Sequence, residues 1–208
     1  MTAITPHDSD AFWTDAYAGG ALPVVVILRG FEPDETVRLG RQAWDAGVPL
    51  VEVPVQGQKG LDALAALAEQ PRSAGQGVGS GTVVTVEHVE QSLARGSQFT
   101  IAPGFDEEVA AASLALGMPH LPGVATPTEV QRVLTSGLGW VKAFPAAVLG
   151  TRWFGDIRGP FPQLRIVATG GIDDSNAVEF LSAGVDVVAL GTSFAKRGEK
   201  ALEAIRSR

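Results

Sequence analysis

Lys142 lies within GWVKAFPA (residues 139–146), an apolar run with the length and composition of a buried strand. It is one of only four lysines in the chain. An apolar environment disfavours the ammonium form of a lysine, and the neutral amine is a nucleophile that attacks ketones to form a Schiff base. The alternative is a lysine at a strand end whose amine reaches solvent or pairs with a carboxylate. The residue pattern leaves both interpretations open.

Glu52 interrupts a second apolar run, PLVEVPVQG (residues 49–57), in the same way. A buried glutamate can transfer protons between reacting groups. If Glu52 and Lys142 face one interior, they supply the nucleophile and the acid/base that imine formation, carbinolamine dehydration and carbon–carbon cleavage require. The alternative is a structural ion pair of Glu52 with Arg29 or Lys142.

Two further runs end in glycine-containing turns, VATGGI (residues 167–172) and ALGTS (residues 189–193). Glycine allows backbone N–H groups to approach an anion closely, and barrel enzymes often bind phosphate after their seventh and eighth strands. Each glycine segment could also simply form a turn. Their presence in two consecutive units favours a phosphate site.

These residues need a scaffold that brings distant parts of the chain together. Short apolar runs alternate with amphipathic segments, and eight such strand–helix units are the number that closes a parallel barrel. We therefore predict an α/β fold, a single (β/α)8 TIM barrel domain over residues 1–208, with an extra helix over residues 8–20 at its N-terminal end. A doubly wound open sheet is the competing architecture. The eight runs are 22–30, 49–57, 76–83, 98–104, 119–124, 139–146, 164–171 and 185–193.

The active site of such a barrel lies at the carboxyl ends of its strands. Polar residues occur at these ends in most of the eight units, and the fold would make them converge. They are Arg29, Glu52, Gln56, Thr82, Lys142, Thr169, Thr192 and Ser193.

The net charge and the composition of the chain indicate which classes of binding partner and site to expect. The formal net charge of −7 argues against nucleic acid or an anionic membrane surface as the main partner. The chain has no cysteine, and its three histidines are isolated, so the sequence predicts neither a disulfide nor a metal site. With no signal-peptide pattern and no apolar run long enough to span a bilayer, we expect a cytoplasmic protein.

Six blocks resemble one protein family, in order and with matching spacing. They are GSGTV (79–83), IAPG (101–104), LPGVATPTE (121–129), VKAFPA (141–146), GPFPQLRIVATGGI (159–172) and ALGTS (189–193). The chain is similar here to the aldolases of 2-dehydro-3-deoxy-6-phosphogluconate and 2-dehydro-3-deoxy-6-phosphogalactonate, the KDPG/KHG aldolase family. The resemblance implies a homotrimeric class I aldolase on a (β/α)8 barrel that needs no metal or other cofactor. The implied substrate is a small phosphorylated keto acid, cleaved to pyruvate and glyceraldehyde 3-phosphate.

The resemblance also assigns roles to residues. Lys142 becomes the Schiff-base lysine, Glu52 the general acid/base, and Phe144 the neighbour of the lysine. Thr82 and Pro103 would surround the pyruvyl carboxylate and the imine. The phosphate would be bound by Gly170, Gly171, Gly191, Thr192 and Ser193.

Two departures from the family pattern concern the substrate. Gln56 stands where gluconate-type enzymes often carry an arginine that holds the substrate carboxylate, and Arg29 from the first strand could replace that charge. The LRG and EVPVQ segments look like the galactonate branch, whereas Thr169 is common in the gluconate branch. These signals conflict, so the preferred C4 epimer stays open.

Other functions are compatible with part of this pattern. A phosphate-free relative acting on 4-hydroxy-2-oxoglutarate would keep Lys142 and Glu52. A phosphosugar isomerase or a thiazole-type synthase would use the same fold without the lysine. A non-catalytic barrel that binds phosphometabolites would need neither residue.

Overall fold

The computed structural model describes residues 2–208, and within them nine parallel strand segments form one sheet. The strand order is β5-β4-β3-β2-β1-β9-β8-β7-β6. The segments are β1 (Val24–Ile27), β2 (Leu50–Pro54), β3 (Gly77–Gly81), β4 (Thr100–Ile101), β5 (His120–Leu121), β6 (Gly123–Val124), β7 (Trp140–Ala143), β8 (Arg165–Ala168) and β9 (Val187–Leu190).

The predicted fifth strand consists of the two segments β5 and β6, divided at Pro122. His120 in β5 pairs with Thr100 of β4, and Gly123 in β6 pairs with Lys142 of β7. Proline has no N–H to donate to a ladder, but its carbonyl accepts a hydrogen bond from the Lys142 N–H at 2.8 Å. The split strand thus contacts both neighbours, so the predicted (β/α)8 barrel is confirmed with nine segments instead of eight strands.

Helices connect the strands and cover the outside of the sheet. They are α1 (Pro6–Ala16), α2 (Pro33–Asp45), α3 (Gln58–Ala68), α4 (Val86–Ala94), α5 (Glu107–Ala115), α6 (Pro127–Thr135), α7 (Ala146–Leu149), α8 (Thr151–Arg158), α9 (Ala177–Ser182), α10 (Thr192–Arg197) and α11 (Glu203–Arg206), with a 3-10 helix over Gly198–Leu202. None of the helices within residues 2–208 has both the length and the apolar character needed to cross a membrane.

The extra N-terminal helix is confirmed, but it starts and ends earlier than predicted. Thr5 caps α1 by accepting a hydrogen bond from the Asp8 N–H, and Pro6 follows at the first helical position, so the helix begins there. Gly19 and Gly20, both at positive φ, follow its end. Trp13 of α1 is fully buried and packs edge-on against Phe99, with ring centroids 5.2 Å apart.

Successive side chains of a strand point to opposite faces, and this alternation determines what faces the barrel interior. Leu50 of β2 and Trp140 of β7 belong to the apolar cluster around Trp13, at the N-terminal end of the barrel. The same alternation directs Glu52 and Lys142 inward one layer higher, towards the carboxyl ends. The fold therefore places Lys142 and Glu52 above a closed apolar floor.

Candidate active site

Lys142 and Glu52 form a buried pair inside the barrel. The Lys142 Nζ and Glu52 Oε1 atoms are 3.6 Å apart, and the two side chains are only 4% and 1% exposed. Each residue is the third of its strand, one on β7 and the other on β2. Of the alternatives open from the sequence, the structure favours a buried amine paired with a carboxylate over an amine that reaches solvent.

Gly81 makes room for the carboxylate of Glu52. A Cβ atom at position 81 would overlap Glu52 Oε1, and Gly79 on the same face is packed against Phe99. Within residues 2–208, this Oε1 atom is buried and has no hydrogen-bond partner. An unsatisfied carboxylate oxygen beside an amine is a free acceptor for a substrate hydroxyl or a water molecule.

Phe144 lies beside the lysine, as predicted. The Lys142 Nζ atom is 5.6 Å from the centroid of the Phe144 ring, and Phe144 is 38% exposed. On its other side the ring meets the backbone of Gly170, where a Cβ atom would lie 3.0 Å from two ring carbons. Phe144 therefore connects the lysine to the glycine segment after β8.

Arg29, Gln56 and Thr82 meet at the carboxyl ends of β1, β2 and β3. The Arg29 guanidinium donates one hydrogen bond to Gln56 Oε1 and another to Thr82 Oγ1 at 3.4 Å. Both bonds end on neutral side chains, so the positive charge of Arg29 is available to an anion. Thr82 has φ = 60° and is the one non-glycine residue at positive φ within residues 2–208. A β-branched residue in this conformation is strained, and such residues concentrate at functional sites.

Pro103 lies in the loop after β4, and its backbone crosses close to Gly123. A Cβ atom at Gly123 would overlap the Pro103 carbonyl group. Gly123 is also the register partner of Lys142. Pro103 therefore lies one strand away from the lysine, and its path depends on glycine at position 123.

Thr169, Gly170 and Gly171 follow β8 beside the Phe144 segment. Thr169 is buried, and its N–H and carbonyl groups bond to Ala143 and Ala146 at 3.0 and 2.7 Å. Both glycines have positive φ, 95° and 76°. A Cβ atom at Gly171 would lie 2.5 Å from Ala147 Cβ. Glycine is thus required here for both conformation and space.

Unpaired backbone N–H groups occur at the ends of β8 and β9. Within residues 2–208, the N–H groups of Gly170, Gly171, Ile172 and Gly191 donate to no protein acceptor. Gly191 is followed by Thr192 and Ser193, the first two residues of α10. The Ser193 hydroxyl is buried and also has no partner. These donors lie at the ends of β8 and β9, which are adjacent strands of the barrel.

Sequence reasoning did not assign roles to Gly81, Gly123 and Ile172. Gly81 and Gly123 make room for their neighbours by lacking a side chain, and Ile172 has an unpaired backbone N–H group. The alternation of glycines at 77, 79 and 81 was the available signal for the first of them, because every second residue of a strand faces the interior.

The structure brings together no cluster of candidate metal ligands in residues 2–208, where no three His, Asp or Glu side chains meet. His120 is fully buried and bonds through Nδ1 to Thr100 Oγ1 at 2.8 Å. A groove of about 480 Å³ lies between α5 and α6, on the outside of the barrel. The lysine, the carboxylate and the unpaired donors all lie instead at the barrel mouth.

A family model described as KDPG and KHG aldolase matches residues 19–206, nearly the whole chain. The chain belongs to this family. It is therefore an aldolase and a lyase, as the sequence predicted.

Named relatives agree with the family assignment. The chain is 37% identical to the 2-dehydro-3-deoxy-phosphogluconate aldolase of Treponema pallidum, over 83% of this chain and 80% of the relative. It is 28% identical to the 2-dehydro-3-deoxy-6-phosphogalactonate aldolase of Escherichia coli K12, over 86% and 87%.

A solved structure supports both the fold and the chemistry. The KDPG aldolase of Legionella pneumophila, with pyruvate captured as a covalent carbinolamine intermediate, superposes with a TM-score of 0.77. It is 29% identical and covers 92% of this chain and 89% of its own. The (β/α)8 architecture and the class I aldolase assignment are therefore confirmed.

Proposed function

We propose that this aldolase cleaves a 2-keto-3-deoxy-6-phospho sugar acid, of the phosphogluconate or phosphogalactonate type, to pyruvate and glyceraldehyde 3-phosphate. The observation that carries the proposal is the buried Lys142–Glu52 pair, with Nζ and Oε1 3.6 Å apart inside the barrel. Nucleophile and acid/base thus lie within reach of one carbonyl carbon. Burying two opposite charges together costs desolvation free energy, and a catalytic role gives a reason to retain such a pair.

The reaction begins when Lys142 passes a proton to Glu52, and the resulting neutral amine attacks the C2 ketone of the substrate. Glu52 donates a proton to the carbinolamine hydroxyl, water leaves, and a protonated imine forms. Glu52, directly or through a water molecule, then accepts the proton of the C4 hydroxyl. The C3–C4 bond breaks, and its electron pair moves into the imine to give an enamine.

The second half of the reaction releases the products. Glyceraldehyde 3-phosphate leaves first, with its aldehyde formed from C4 and the former C4 hydroxyl oxygen. Glu52 passes its proton to C3 of the enamine, and water hydrolyses the resulting imine to pyruvate and free Lys142. The carbinolamine of pyruvate captured in the Legionella relative is an intermediate of this kind in that protein.

We assign the substrate carboxylate to the side of the mouth formed by Arg29, Gln56, Thr82 and Pro103. Arg29 supplies a positive charge that its two neutral partners leave uncompensated. Guanidinium–carboxylate hydrogen bonds are stronger than neutral ones. Arg29 would thereby replace the arginine that gluconate-type relatives often carry at the position of Gln56.

We assign the phosphate to Gly170, Gly171, Gly191, Thr192 and Ser193, at the ends of β8 and β9. The unpaired N–H groups and the Ser193 hydroxyl supply donors without any charged side chain. Glycine lets the backbone approach phosphate oxygens closely. A phosphate-free substrate such as 4-hydroxy-2-oxoglutarate would leave these donors unused, so the site favours a phosphorylated substrate.

The homotrimeric state and the cytoplasmic location of the protein stay predictions. We propose a homotrimer from the family resemblance, and size-exclusion chromatography with light scattering tests it. A designed protein cage made by fusing symmetric oligomeric domains superposes on this chain with a TM-score of 0.80 at 26% identity, over 89% of this chain and 71% of its own.

The first test of the proposed chemistry is borohydride reduction in the presence of pyruvate, followed by peptide mass spectrometry. We expect a reduced pyruvyl adduct on the peptide that contains Lys142. The adduct should be absent from Lys142→Met and present in Lys59→Met, which removes an exposed lysine as a matched control. Circular dichroism must accompany Lys142→Met, because removing one partner of a buried pair leaves the other charge uncompensated. An unmodified Lys142 in the folded wild-type protein would refute the Schiff-base mechanism.

A substrate comparison then tests the rest of the proposal. We expect cleavage of the two C4 epimers to exceed cleavage of 4-hydroxy-2-oxoglutarate in kcat/KM, and the ratio of the epimers identifies the branch. Equal or faster cleavage of 4-hydroxy-2-oxoglutarate would contradict the assignment of a phosphate site.

A further inference from the structure

Asn176 is the only asparagine in the chain, and it lies in the loop between the proposed phosphate-binding glycines and α9. It occupies the N-cap position of α9, where an asparagine side chain usually accepts a hydrogen bond from the first turn. Here the side chain makes no such bond. The Nδ2 group instead donates to the Gly171 carbonyl at 2.9 Å, and Oδ1 accepts from the Asp173 N–H at 3.0 Å. Asn176 therefore binds the loop before the helix instead of the helix itself.

The bond from Asn176 fixes the peptide unit between Gly171 and Ile172. In a trans peptide the C=O and the following N–H point in opposite directions. Because Asn176 holds the Gly171 carbonyl turned towards the start of α9, the Ile172 N–H is directed away from it. That N–H is one of the donors without a protein acceptor among residues 2–208. Gly171 has φ = 76°, and a glycine peptide rotates easily unless a contact restrains it.

The other polar side chains of the loop are already engaged. Asp173 accepts hydrogen bonds from the N–H and the hydroxyl of Ser175. Asp174 pairs with Arg197 of α10, which compensates its charge near a site for an anion. Asn176 is thus the side chain of this loop that orients the glycine segment.

We infer that Asn176 is a positioning residue, which holds the Gly171–Ile172 peptide so that its N–H serves the phosphate of the substrate. The inference rests on the proposed function and adds Ile172 to the phosphate site. It also fits the residue type, because an amide can donate to Gly171 and accept from Asp173 at once. Aspartate of the same shape would keep the acceptor and lose the donor.

The test measures the reverse reaction, condensation of pyruvate with glyceraldehyde 3-phosphate or with unphosphorylated glyceraldehyde. Asn176→Asp removes the donor, and Asn176→Leu removes both hydrogen bonds without adding charge. Since a hydrogen bond to a charged group contributes enough for about a tenfold change in affinity, we expect KM for glyceraldehyde 3-phosphate to rise about tenfold in both variants. The kcat, the KM for glyceraldehyde and borohydride trapping of pyruvate on Lys142 should stay at wild-type values.

Controls distinguish a positioning role of Asn176 from a purely structural role. They also distinguish failure of this inference from failure of the proposed function. Thr5→Val removes a capping side chain at the opposite end of the barrel and should change neither KM. An effect confined to Asn176→Asp would indicate charge repulsion and overturn the inference, as would equal losses with both aldehydes. If the wild-type protein forms the pyruvate adduct but shows no preference for the phosphorylated aldehyde, the phosphate site and this inference both fail. Absence of the adduct in the wild type would instead refute the Schiff-base proposal itself.

Discussion

The carboxylate of Glu52 occupies the space that a side chain at position 81 would fill. In the parallel register Glu52 pairs with Gly79, so β3 offers the carboxylate a backbone without side chains on this face. At the scale of single residues, the distance between Lys142 and Glu52 depends on a glycine that performs no chemistry. Misplacing a catalytic group by about 1 Å is enough to slow a reaction about a hundredfold.

Gly81→Ala should therefore lower kcat/KM about a hundredfold or more, because the new Cβ displaces the Glu52 carboxylate. Steady-state kinetics of cleavage measures the effect. The matched control is Gly155→Ala on α8, where a Cβ meets nothing within 4 Å. This control should keep wild-type kinetics and gain about 0.5–1 kcal/mol in the free energy of unfolding. Wild-type kinetics in Gly81→Ala would show that the position of the carboxylate does not matter.

The residues at the mouth differ in how far the sequence could predict them. Lys142 and Glu52 stood out because a charge interrupts an apolar run, and strand alternation then turned both inward. The contact of Thr82 with Arg29 could not be predicted in this way. Gly81 faces inward, so simple alternation directs position 82 outward. The positive φ of Thr82 breaks the alternation, and a sequence does not reveal this for a threonine.

At the scale of elements, α1 closes the N-terminal end of the barrel. Trp13 packs among Leu50, Phe99 and Trp140, and the Asp10 carboxylate accepts hydrogen bonds from the Gly139 N–H at 3.0 and 2.8 Å. Burial raises the pKa of Asp10, against the opposing effect of these bonds. The helix thus closes the apolar floor below the Lys142–Glu52 pair.

Trp13→Ala should lower the free energy of unfolding by about 3–5 kcal/mol, the usual cost of truncating a fully buried aromatic side chain. Urea denaturation followed by circular dichroism measures it. Trp153→Ala on α8 is the matched control. Trp153 is only partly buried, so its truncation should lower the free energy of unfolding by less. Equal losses in the two variants would mean that α1 does not support the barrel floor.

Element boundaries were the less predictable part of the fold. The amphipathic pattern of the last residues is typical of one continuous helix, but Gly198 at φ = 57° divides this segment into α10, a 3-10 helix and α11. The split at Pro122 likewise escaped the prediction. In both cases the run keeps its apolar pattern across the break, so periodicity alone cannot locate it. The order and number of barrel positions, set by the alternation of runs, were predicted correctly.

At the scale of the whole molecule, His120 connects three separate elements. Its backbone N–H donates to Ser9 of α1 at 3.0 Å, and its ring bonds to Thr100, whose hydroxyl contacts Ser113 of α5 at 2.6 Å. The ring is fully buried, and its Nε2 atom has no partner among the described residues. Burial lowers the pKa of His120 from 6.5 to about 4, so the folded protein holds the ring neutral.

The free energy of unfolding should consequently decrease as the pH is lowered through a defined window. Below pH 6.5 the unfolded chain binds a proton at His120 that the folded chain does not bind until about pH 4, so the free energy of unfolding decreases as the pH drops. Between pH 7 and pH 5 we expect this residue to account for a loss of about 2 kcal/mol.

Urea denaturation at both pH values checks this expectation. The asparagine of His120→Asn cannot be protonated. Between pH 7 and pH 5 the free energy of unfolding of this variant should therefore decrease by about 2 kcal/mol less than that of the wild type, whatever its value at pH 7. His7→Asn, which replaces an exposed histidine, is the control for the substitution itself. An unchanged pH dependence in His120→Asn would rule out the buried histidine as the cause.

The two ends of the proposed substrate site differ in what mutation can change. The phosphate end consists largely of main-chain N–H groups, and a codon change to any residue except proline alters a side chain without removing such a group. The carboxylate end consists of the side chains of Arg29, Gln56 and Thr82, each of which a single nucleotide change can replace. In evolutionary terms, we expect descendants of this chain to acquire new substrate preferences at the carboxylate end and to inherit the phosphate end unchanged.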